Sequence, residues 1–162
     1  MEIVVNNKIY QVVCLLGKGK GGYSYLVSCN KGLFVVKQIH HEPCEYYQFG
    51  NKIESEVRDY NCLHTLIRMP KLLDVDYENE CILKEYICGK TIQEIANNKE
   101  MKEGYYQQIE NMCAVLYANG LNIDYYPTNF VVQDDLLYYV DYECNAYMEK
   151  WDYEHWGKQY WK

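Results

Sequence analysis

The chain has 162 residues, of which 49% are hydrophobic and 24% charged, proportions typical of a globular protein. This length fits one domain, or one domain with a reduced second lobe, and is enough for a hydrophobic core. A formal net charge of −7 argues against a nucleic-acid surface, where clustered Lys and Arg are expected. No apolar run approaches the ~20 residues that span a bilayer, so we expect no membrane contact.

The N-terminus lacks the basic start and long apolar run of a secretory signal. Eight cysteines are scattered along the chain, mostly within hydrophobic runs. Free Cys is among the most buried residue types, and disulfides are rare in the cytosol. We therefore expect reduced, buried cysteines and a cytoplasmic protein.

The first half of the chain predicts an antiparallel sheet with one helix. Residues 2–5 and 8–16 are strand-like and flank Asn6–Asn7, which favours a hairpin. Further strand-like runs cover residues 23–29, 33–39, 72–76 and 81–87. Residues 46–67 carry apolar side chains at helical spacing. We interpret this half as a five-stranded sheet with one helix.

The second half predicts a small helical part. Thr91 and Glu94 have the spacing of a capping box before a short helix. Residues 101–118 predict a longer helix that ends at Asn119–Gly120. Two brief strands follow at residues 130–133 and 137–140. A sheet followed by a helical part predicts the α+β class.

A glycine-rich turn joins two of the predicted strands. Gly17, Gly19 and Gly22 give the pattern G-x-G-x-x-G, in which bare backbone N–H groups can approach phosphates. Strand-like residues resume directly after Gly22, whereas a dinucleotide-binding loop would open a helix. The pattern favours a phosphate-covering loop between strands, and an ordinary hairpin tip is the alternative.

Lys37 lies inside an apolar strand-like segment, where an unpaired charge is costly. The functional interpretation has Lys37 contact nucleotide phosphates and pair with a Glu of the following helix. Glu56 is the better candidate, because Tyr60 and Leu63 follow it on one helix face, and Glu54 is the second. The alternative is a solvent-facing Lys on an edge strand.

An Asp, an Asn and a second Asp stand in order near the C-terminal end. Asp124 is followed five positions later by Asn129, and Asp141 comes after two short hydrophobic strands. Enzymes that transfer phosphoryl groups use this order: the first Asp meets the attacking hydroxyl, and the other two side chains hold magnesium. Acidic loop residues that cap turns are the alternative.

With these residues in order, residues 10–143 resemble the protein-kinase-like superfamily. Asp141-Tyr142-Glu143 is similar to the D-W-E or D-F-E of aminoglycoside and choline phosphotransferases. The small size is similar to RIO-type and other minimal atypical kinases. The resemblance implies a protein-kinase-like fold with a five-stranded antiparallel N-lobe and one helix in residues 1–87. A strongly reduced helical C-lobe would occupy residues 88–162.

The resemblance also implies an activity. The chain would be a kinase that uses ATP and Mg²⁺ and transfers the γ-phosphoryl group to a hydroxyl of a protein Ser/Thr or of a small molecule. Asp124 would be the catalytic base, and Lys37, oriented by Glu56, would bind phosphates. Asn129 and Asp141 would hold the magnesium ion.

The adenine site is implied by the same resemblance. Leu16, Val27 and Val35 would sandwich the base, and backbone groups near Glu85 and Ile87 would face its edge. These positions join Gly17, Gly19, Gly22 and Lys37 as the predicted nucleotide-binding residues.

The chain departs from the family pattern at three places. Asn122 and Ile123 precede Asp124 where the family usually has His and then Arg or Gly, and Tyr126 replaces a Lys that contacts the transferred phosphate. Nothing after Glu143 resembles an activation segment or a large substrate lobe. These departures support an alternative function, a pseudokinase that binds nucleotide and acts through a partner. A third interpretation is that a partner protein completes the reduced lobe.

The C-terminal residues 147–161 are rich in aromatic side chains and predict a helix. Its large side chains include Trp151, Tyr153, Trp156, Tyr160 and Trp161. The plain interpretation is a helix whose apolar face packs on the reduced lobe. The alternative is a surface for a protein partner, because Trp and Tyr are enriched in interface hot spots.

Overall fold

The structure, a computed structural model, describes residues 1–19, 21–42 and 51–162. The chain is an α+β protein, as predicted, and divides into two compact units. The first unit comprises Met1–Val57 and Lys71–Tyr86, and the second comprises Arg58–Pro70 and Ile87–Lys162.

The first unit is built on a six-stranded antiparallel sheet in the order β1-β2-β3-β4-β6-β5. The strands are β1 (Glu2–Val5), β2 (Lys8–Lys18), β3 (Gly22–Cys29), β4 (Gly32–Ile39), β5 (Leu72–Asp76) and β6 (Cys81–Glu85). The predicted number of five strands is wrong, because all six strand-like runs, including β1, join one sheet.

Two tight turns connect the first strands of this sheet. Asn6 and Asn7 have φ of 47° and 68°, and Asn30 and Lys31 have φ of 48° and 66°. Two successive residues with positive φ match the right-handed twist of the flanking strands. The predicted β1–β2 hairpin is therefore confirmed, and Asn suits its left-handed positions.

The sheet curls until the β1–β2 turn meets β5. The backbone N–H of Asn6 donates to Asp76 Oδ2 at 2.8 Å. The Asn6 side-chain Nδ2 donates to Asp74 Oδ1 and to the Val75 carbonyl, both at 2.9 Å. Asp76 also accepts the backbone N–H of Asn79 at 2.9 Å. One buried carboxylate thus ties the first turn of the chain to the far edge of the sheet.

The two faces of the sheet carry different residues. In an antiparallel pair, directly opposite residues share a face, and successive residues alternate between faces. One face carries the core of the unit, which consists of Val5, Tyr10, Val27, Val36, Cys81 and Leu83. Val35 and Lys37 flank Val36 along β4 and therefore lie on the other face.

Helix α1 covers Lys52–Leu63. The sequence predicted a helix over residues 46–67, of which residues 46–50 lie outside the described residues, and the observed helix ends four residues earlier than predicted. Asn51 Oδ1 accepts the backbone N–H of Glu54 at 3.1 Å, which stabilises the first turn. Residues 52–57 of α1 belong to the first unit and residues 58–63 to the second.

The second unit combines two helices with short strands. Its elements are β7 (Lys90–Thr91), α2 (Ile92–Asn97), α3 (Glu103–Ala118), β8 (Leu121–Asn122), β9 (Phe130–Gln133), β10 (Leu136–Tyr139) and β11 (Asn145–Ala146). Strands β10, β9 and β7 form one small sheet, and β11 pairs with β8. The predicted capping box is confirmed, because Thr91 Oγ1 accepts the Glu94 N–H at 3.1 Å and the Glu94 side chain accepts the Thr91 N–H.

The predicted C-terminal helix is not a regular α-helix. A 3₁₀ turn at Glu149–Trp151, a π-helical turn at Tyr153–Gly157 and a second 3₁₀ turn at Lys158–Tyr160 replace it. Asp152 Oδ1 accepts the backbone N–H of His155 at 2.8 Å and starts the middle turn. Aromatic rings of this segment pack against one another and against Tyr125.

The cysteines are less uniformly buried than the sequence suggested. Seven are free thiols, and Cys14, Cys62 and Cys88 are exposed, whereas Cys44 lies outside the described residues. Burial raises the pKa of the Cys81 thiol to about 11 and that of Cys113 to about 12. Among the described helices, none has the length and apolar character needed to cross a membrane.

Asp76 supplies a test of how the sheet closes. The backbone N–H groups of Asn79 and Asn6 lower the pKa of this buried carboxyl. Asp76→Asn weakens both bonds, so we expect the unfolding free energy at pH 7 to fall by about 1–3 kcal/mol. Because the pKa is lowered by folding, the stabilising effect of Asp76 is present above the unfolded pKa of about 4 and is lost as pH falls through the folded value.

The measurement is urea unfolding at pH 7, 5 and 3. The difference between wild type and Asp76→Asn should be full at pH 7 and shrink at pH 3. Asp134→Asn, at an exposed turn, is the matched control and should match wild type at pH 7. Equal stabilities for the two variants at pH 7 would contradict the role of Asp76.

Candidate active site

The β9–β10 hairpin of the second unit brings Asn129 and Asp141 to one place. Phe130 lies opposite Tyr139, and the turn is made by Asp134 and Asp135. Beyond the last strand pair, the Val140 N–H donates to the Asn129 carbonyl at 2.9 Å. Asn129 and Asp141 therefore stand on the two chains at the open end of one hairpin.

Asp124 is held against Asn129 by a short loop. A 3₁₀ turn at Pro127–Asn129 follows it, closed by the Asn129 N–H donating to the Tyr126 carbonyl at 3.0 Å. Asn129 Nδ2 donates to the Asp124 carbonyl at 3.3 Å. Proline fixes φ at the start of the turn, which favours this compact connection. The structure thus brings the predicted Asp124 and Asn129 into contact.

Tyr139 links this loop to the segment that contains Asp141. Its hydroxyl accepts the backbone N–H of Asp124 at 3.3 Å and donates to the Glu143 carbonyl at 2.9 Å. Burial, and then the charges of Asp141, Glu143 and Asp124, raise the pKa of Tyr139 well above its usual value. One buried hydroxyl therefore bonds the backbone of acidic residues in two loops. The sequence analysis missed Tyr139, since its position resembles that of any aromatic residue in a core strand.

Each predicted acidic residue also accepts a nearby backbone N–H. Asp124 Oδ1 accepts the Tyr126 N–H at 3.1 Å, and Asp141 Oδ1 accepts the Tyr142 N–H at 2.8 Å. Such local bonds fix the orientation of the carboxylate. Tyr142 is buried and its hydroxyl donates to the Pro70 carbonyl at 2.8 Å, which anchors the chain next to Asp141.

Asn129 and Asp141 fit a magnesium ion by their donor chemistry. Because Asn129 Nδ2 donates to the Asp124 carbonyl, Oδ1 is the amide atom that can accept a cation. Mg²⁺ is usually bound by one or two carboxylates together with waters and substrate phosphates. Within residues 1–19, 21–42 and 51–162, no group of three or more His, Cys, Asp or Glu side chains could hold a metal ion. The Asn–Asp pair suits the magnesium mode, in which phosphates complete the shell.

In the first unit, Lys37 forms an ion pair with Glu56. The two side chains are only 13% and 12% exposed. Glu54, the second candidate, is exposed at the start of α1. The pair connects β4 to α1 and meets the requirement that a charge inside an apolar strand has a partner.

Strand register decides which adenine-site candidates accompany Lys37. Lys37 lies opposite Ser24, and Val35 lies opposite Leu26 on one side and Lys84 on the other. All five share one face of the sheet. Lys84 is buried there.

Val27 lies away from Val35 and the other predicted adenine-site residues of this sheet. It is fully buried in the core on the opposite face of the sheet. Strand β3 pairs with β4 without a break, so alternation along β3 puts Val27 on the face opposite to Val35 and Lys37. Leu26, opposite Val35, occupies the position that the sequence analysis gave to Val27.

The other predicted adenine-site residues are placed separately. Leu16 lies in an irregularity of β2 between Leu15 and Gly17 and is 48% exposed. Glu85 ends β6, and its N–H donates to the Lys71 carbonyl at 2.9 Å. Ile87 is buried and belongs to the second unit.

The three glycines of the G-x-G-x-x-G pattern differ in their surroundings. A Cβ on Gly22 would lie 2.7 Å from the Gln38 carbonyl oxygen, so the pairing of β3 with β4 requires glycine there. A Cβ on Gly19 would meet no described atom nearer than 3.9 Å, and one on Gly17 none within 4 Å. Neither Gly17 nor Gly19 has a positive φ. Within the described residues, the fold therefore does not require glycine at 17 or 19.

Comparison with known proteins found no match: no protein-family model and no curated protein matches the chain.

The bridging hydroxyl of Tyr139 is directly testable. Tyr139→Phe keeps the ring but leaves the Asp124 N–H and the Glu143 carbonyl without this partner. We expect the unfolding free energy to fall by about 1–3 kcal/mol, the usual cost of unsatisfied buried groups. Amide exchange at Asp124 should become faster. Urea unfolding and hydrogen exchange measure the two effects.

Tyr138→Phe at the neighbouring position is the control, since the Tyr138 side chain is only partly buried. If both variants lose the same stability and exchange at Asp124 is unchanged, the bridge does not hold the loop.

Proposed function

We propose that this chain is a minimal protein-kinase-like phosphotransferase that uses ATP and Mg²⁺. The observation that carries the proposal is the Lys37–Glu56 ion pair, formed in the first unit between a sheet strand and the following helix. Kinases use such a pair to place a lysine on nucleotide phosphates. The pair accompanies, in the same chain, an Asp–Asn–Asp set in the order that kinases use.

The second unit supplies the groups for the chemistry. Asp124 would align the acceptor hydroxyl and receive its proton, and Lys37 would contact the α- and β-phosphates. Asn129 and Asp141 would hold Mg²⁺, which neutralises charge on the phosphates when bound. The Tyr139 bridge keeps Asp124 close to the Asp141 segment, so the rate would come mainly from positioning.

The glycine-rich turn supports a phosphate-binding role. Glycine at 17 and 19 is explained neither by φ nor by crowding among the described residues. A bare backbone at these two positions leaves room for phosphate oxygens. The Gly19 N–H itself donates to the Gly22 carbonyl at 2.9 Å, which closes the turn. Gly17 and Gly19 are both exposed to solvent.

The adenine site of this proposal is revised by the strand register. Leu16 and Val35 remain the proposed contacts, and Leu26 replaces Val27, which lies in the core on the other face. Backbone groups at Glu85 and Ile87 would face the edge of the base. Lys84 is buried on the same face of the sheet as Val35, so this face carries a cationic side chain beside apolar ones.

A pseudokinase is the second candidate function. Tyr126, which replaces the phosphate-contacting Lys of protein kinases, is 37% exposed and its N–H is bonded to Asp124. An uncharged phenol cannot neutralise the transferred phosphate as an ammonium does. The acceptor of the enzyme, a protein Ser/Thr or a small alcohol, is open in this proposal. A cytoplasmic location, with abundant ATP and reduced thiols, suits either function.

The decisive measurement is calorimetric titration of ATP into the protein with and without Mg²⁺. We expect magnesium-dependent binding that weakens at least tenfold in Asp141→Asn, because one ligand carboxylate is lost (about 1.4 kcal/mol for each factor of ten). Asp124→Asn should bind ATP nearly as wild type does. In an assay of ADP formation, Asp124→Asn should lower turnover by about 10²–10⁴-fold, the usual contribution of a general base.

Failure of folded wild-type protein to bind Mg·ATP would contradict the proposal. Binding without ADP formation in wild type would leave the pseudokinase as the function.

A pair of glycine variants separates ligand binding from folding. Gly19→Ala meets no crowding in the described structure, so its stability should stay within about 0.5 kcal/mol of wild type. Its affinity for Mg·ATP should fall at least about fivefold, because the added methyl group approaches the phosphates. Gly22→Ala should lose about 1–3 kcal/mol of stability, because its Cβ would overlap the Gln38 carbonyl.

Thermal unfolding and the calorimetric titration measure these effects. Unchanged ATP affinity in Gly19→Ala would show that the turn does not cover phosphates.

A further inference from the structure

The segment Tyr153–Gly157 and the residues after it pack on the loop that carries Asp124 and Asn129, all within the second unit. The indole Nε1 of Trp161 donates to the Tyr125 carbonyl at 2.8 Å, and both residues are fully buried. A buried carbonyl needs a donor, and here that donor is a side chain. The bond holds the peptide directly after Asp124.

The ring of Trp161 also contacts the residue directly after Asn129. Phe130 and Trp161 meet edge to face with ring centroids 5.0 Å apart, and Tyr153 meets Trp161 at 5.4 Å. Aromatic pairs of this geometry stabilise by about 0.5–1.5 kcal/mol beyond the area they bury. Trp161 thus contacts the residue after Asp124 and the residue after Asn129.

A glycine allows the segment to approach this closely. A Cβ on Gly157 would lie 2.5 Å from Tyr125 Cβ, so no larger residue fits without a shift. The position of Trp161 is itself fixed, because the hydroxyl of Tyr106 on α3 donates to the Trp161 carbonyl at 2.7 Å. The indole therefore connects helix α3 to the Asp124 loop.

We propose that Trp161 is a positioning residue that sets the geometry of Asp124 and Asn129 for phosphoryl transfer. The catalytic part of this inference rests on the proposed function. A buried indole N–H needs an acceptor, and the acceptor here is the carbonyl of the residue directly after Asp124. Because a misplacement of about 1 Å can cost about a hundredfold in rate, loss of this one bond should reduce turnover more than substrate binding.

The test uses Trp161→Phe, which keeps a ring for Phe130 and Tyr153 but removes the N–H donor. Trp151→Phe is the matched control, since Trp151 is 49% exposed and its ring contacts Trp156. Hydrogen exchange would be followed at the amides of Tyr126 and Asn129, which are both bonded within the loop. ADP formation from Mg·ATP would give kcat and KM.

The proposal expects faster exchange at the loop amides, by about fivefold or more, with exchange in α3 unchanged. It expects kcat about tenfold lower and KM for ATP within twofold of wild type. Trp151→Phe should match wild type in both measurements. Unchanged loop exchange and unchanged kcat in Trp161→Phe would overturn the proposal, and so would an equal rise of exchange across α3.

Two further outcomes also test the role of Trp161. If wild type forms no ADP, the proposed function fails, and loop exchange alone decides whether Trp161 positions the loop. If Trp161→Phe does not fold by circular dichroism, Tyr106→Phe replaces it, because that variant releases the Trp161 carbonyl and keeps the indole. Faster loop exchange in Tyr106→Phe supports the proposal, and unchanged exchange overturns it.

Discussion

The buried hydroxyl of Tyr139 is the interaction on which the candidate site depends. It joins the Asp124 N–H to the Glu143 carbonyl, so a single side chain connects the two loops that carry the acidic residues. Tyr139 is fully buried, so loss of either bond would leave a buried polar group unsatisfied. The loops must therefore keep these positions as long as the β9–β10 hairpin is intact.

That connection joins two loops that carry acidic side chains. Backbone N–H groups of Tyr126 and Tyr142 donate to Asp124 and Asp141 and fix the orientation of these two carboxylates. Burial, and then the charges of Asp141, Glu143 and Asp124, raise the pKa of Tyr139. In the proposed function, a bound divalent cation would lower the negative potential of these charges.

Features of the fold that arise from local chemistry were predictable from the sequence. The Asn6–Asn7 hairpin and the Thr91–Glu94 capping box depend on residues within a few positions of each other. Pairing of Lys37 with a Glu of α1 was also within reach, because a charge in an apolar strand needs a partner and the helix offered two acidic candidates.

Features that depend on distant pairing were not predictable. The sheet curls until Asn6 meets Asp76, 70 positions away along the chain. The bond from the Trp161 indole to the Tyr125 carbonyl joins residues 36 positions apart. The role of Tyr139 required knowing which loops its hydroxyl reaches. In each case the deciding partner is remote in sequence.

The glycines best distinguish positions that the fold requires from positions that it does not. Crowding explains Gly22, Gly89 and Gly157, because a Cβ at each would lie within 2.7 Å of another part of the chain. No such reason exists for Gly17 or Gly19 among the described residues, although a bare backbone there adds conformational entropy to the unfolded chain. Positions where a sequence departs from what its fold requires are expected at functional sites. In the proposed function, the exposed turn around Gly19 would serve phosphate binding, and the acidic loops joined by Tyr139 would serve magnesium binding.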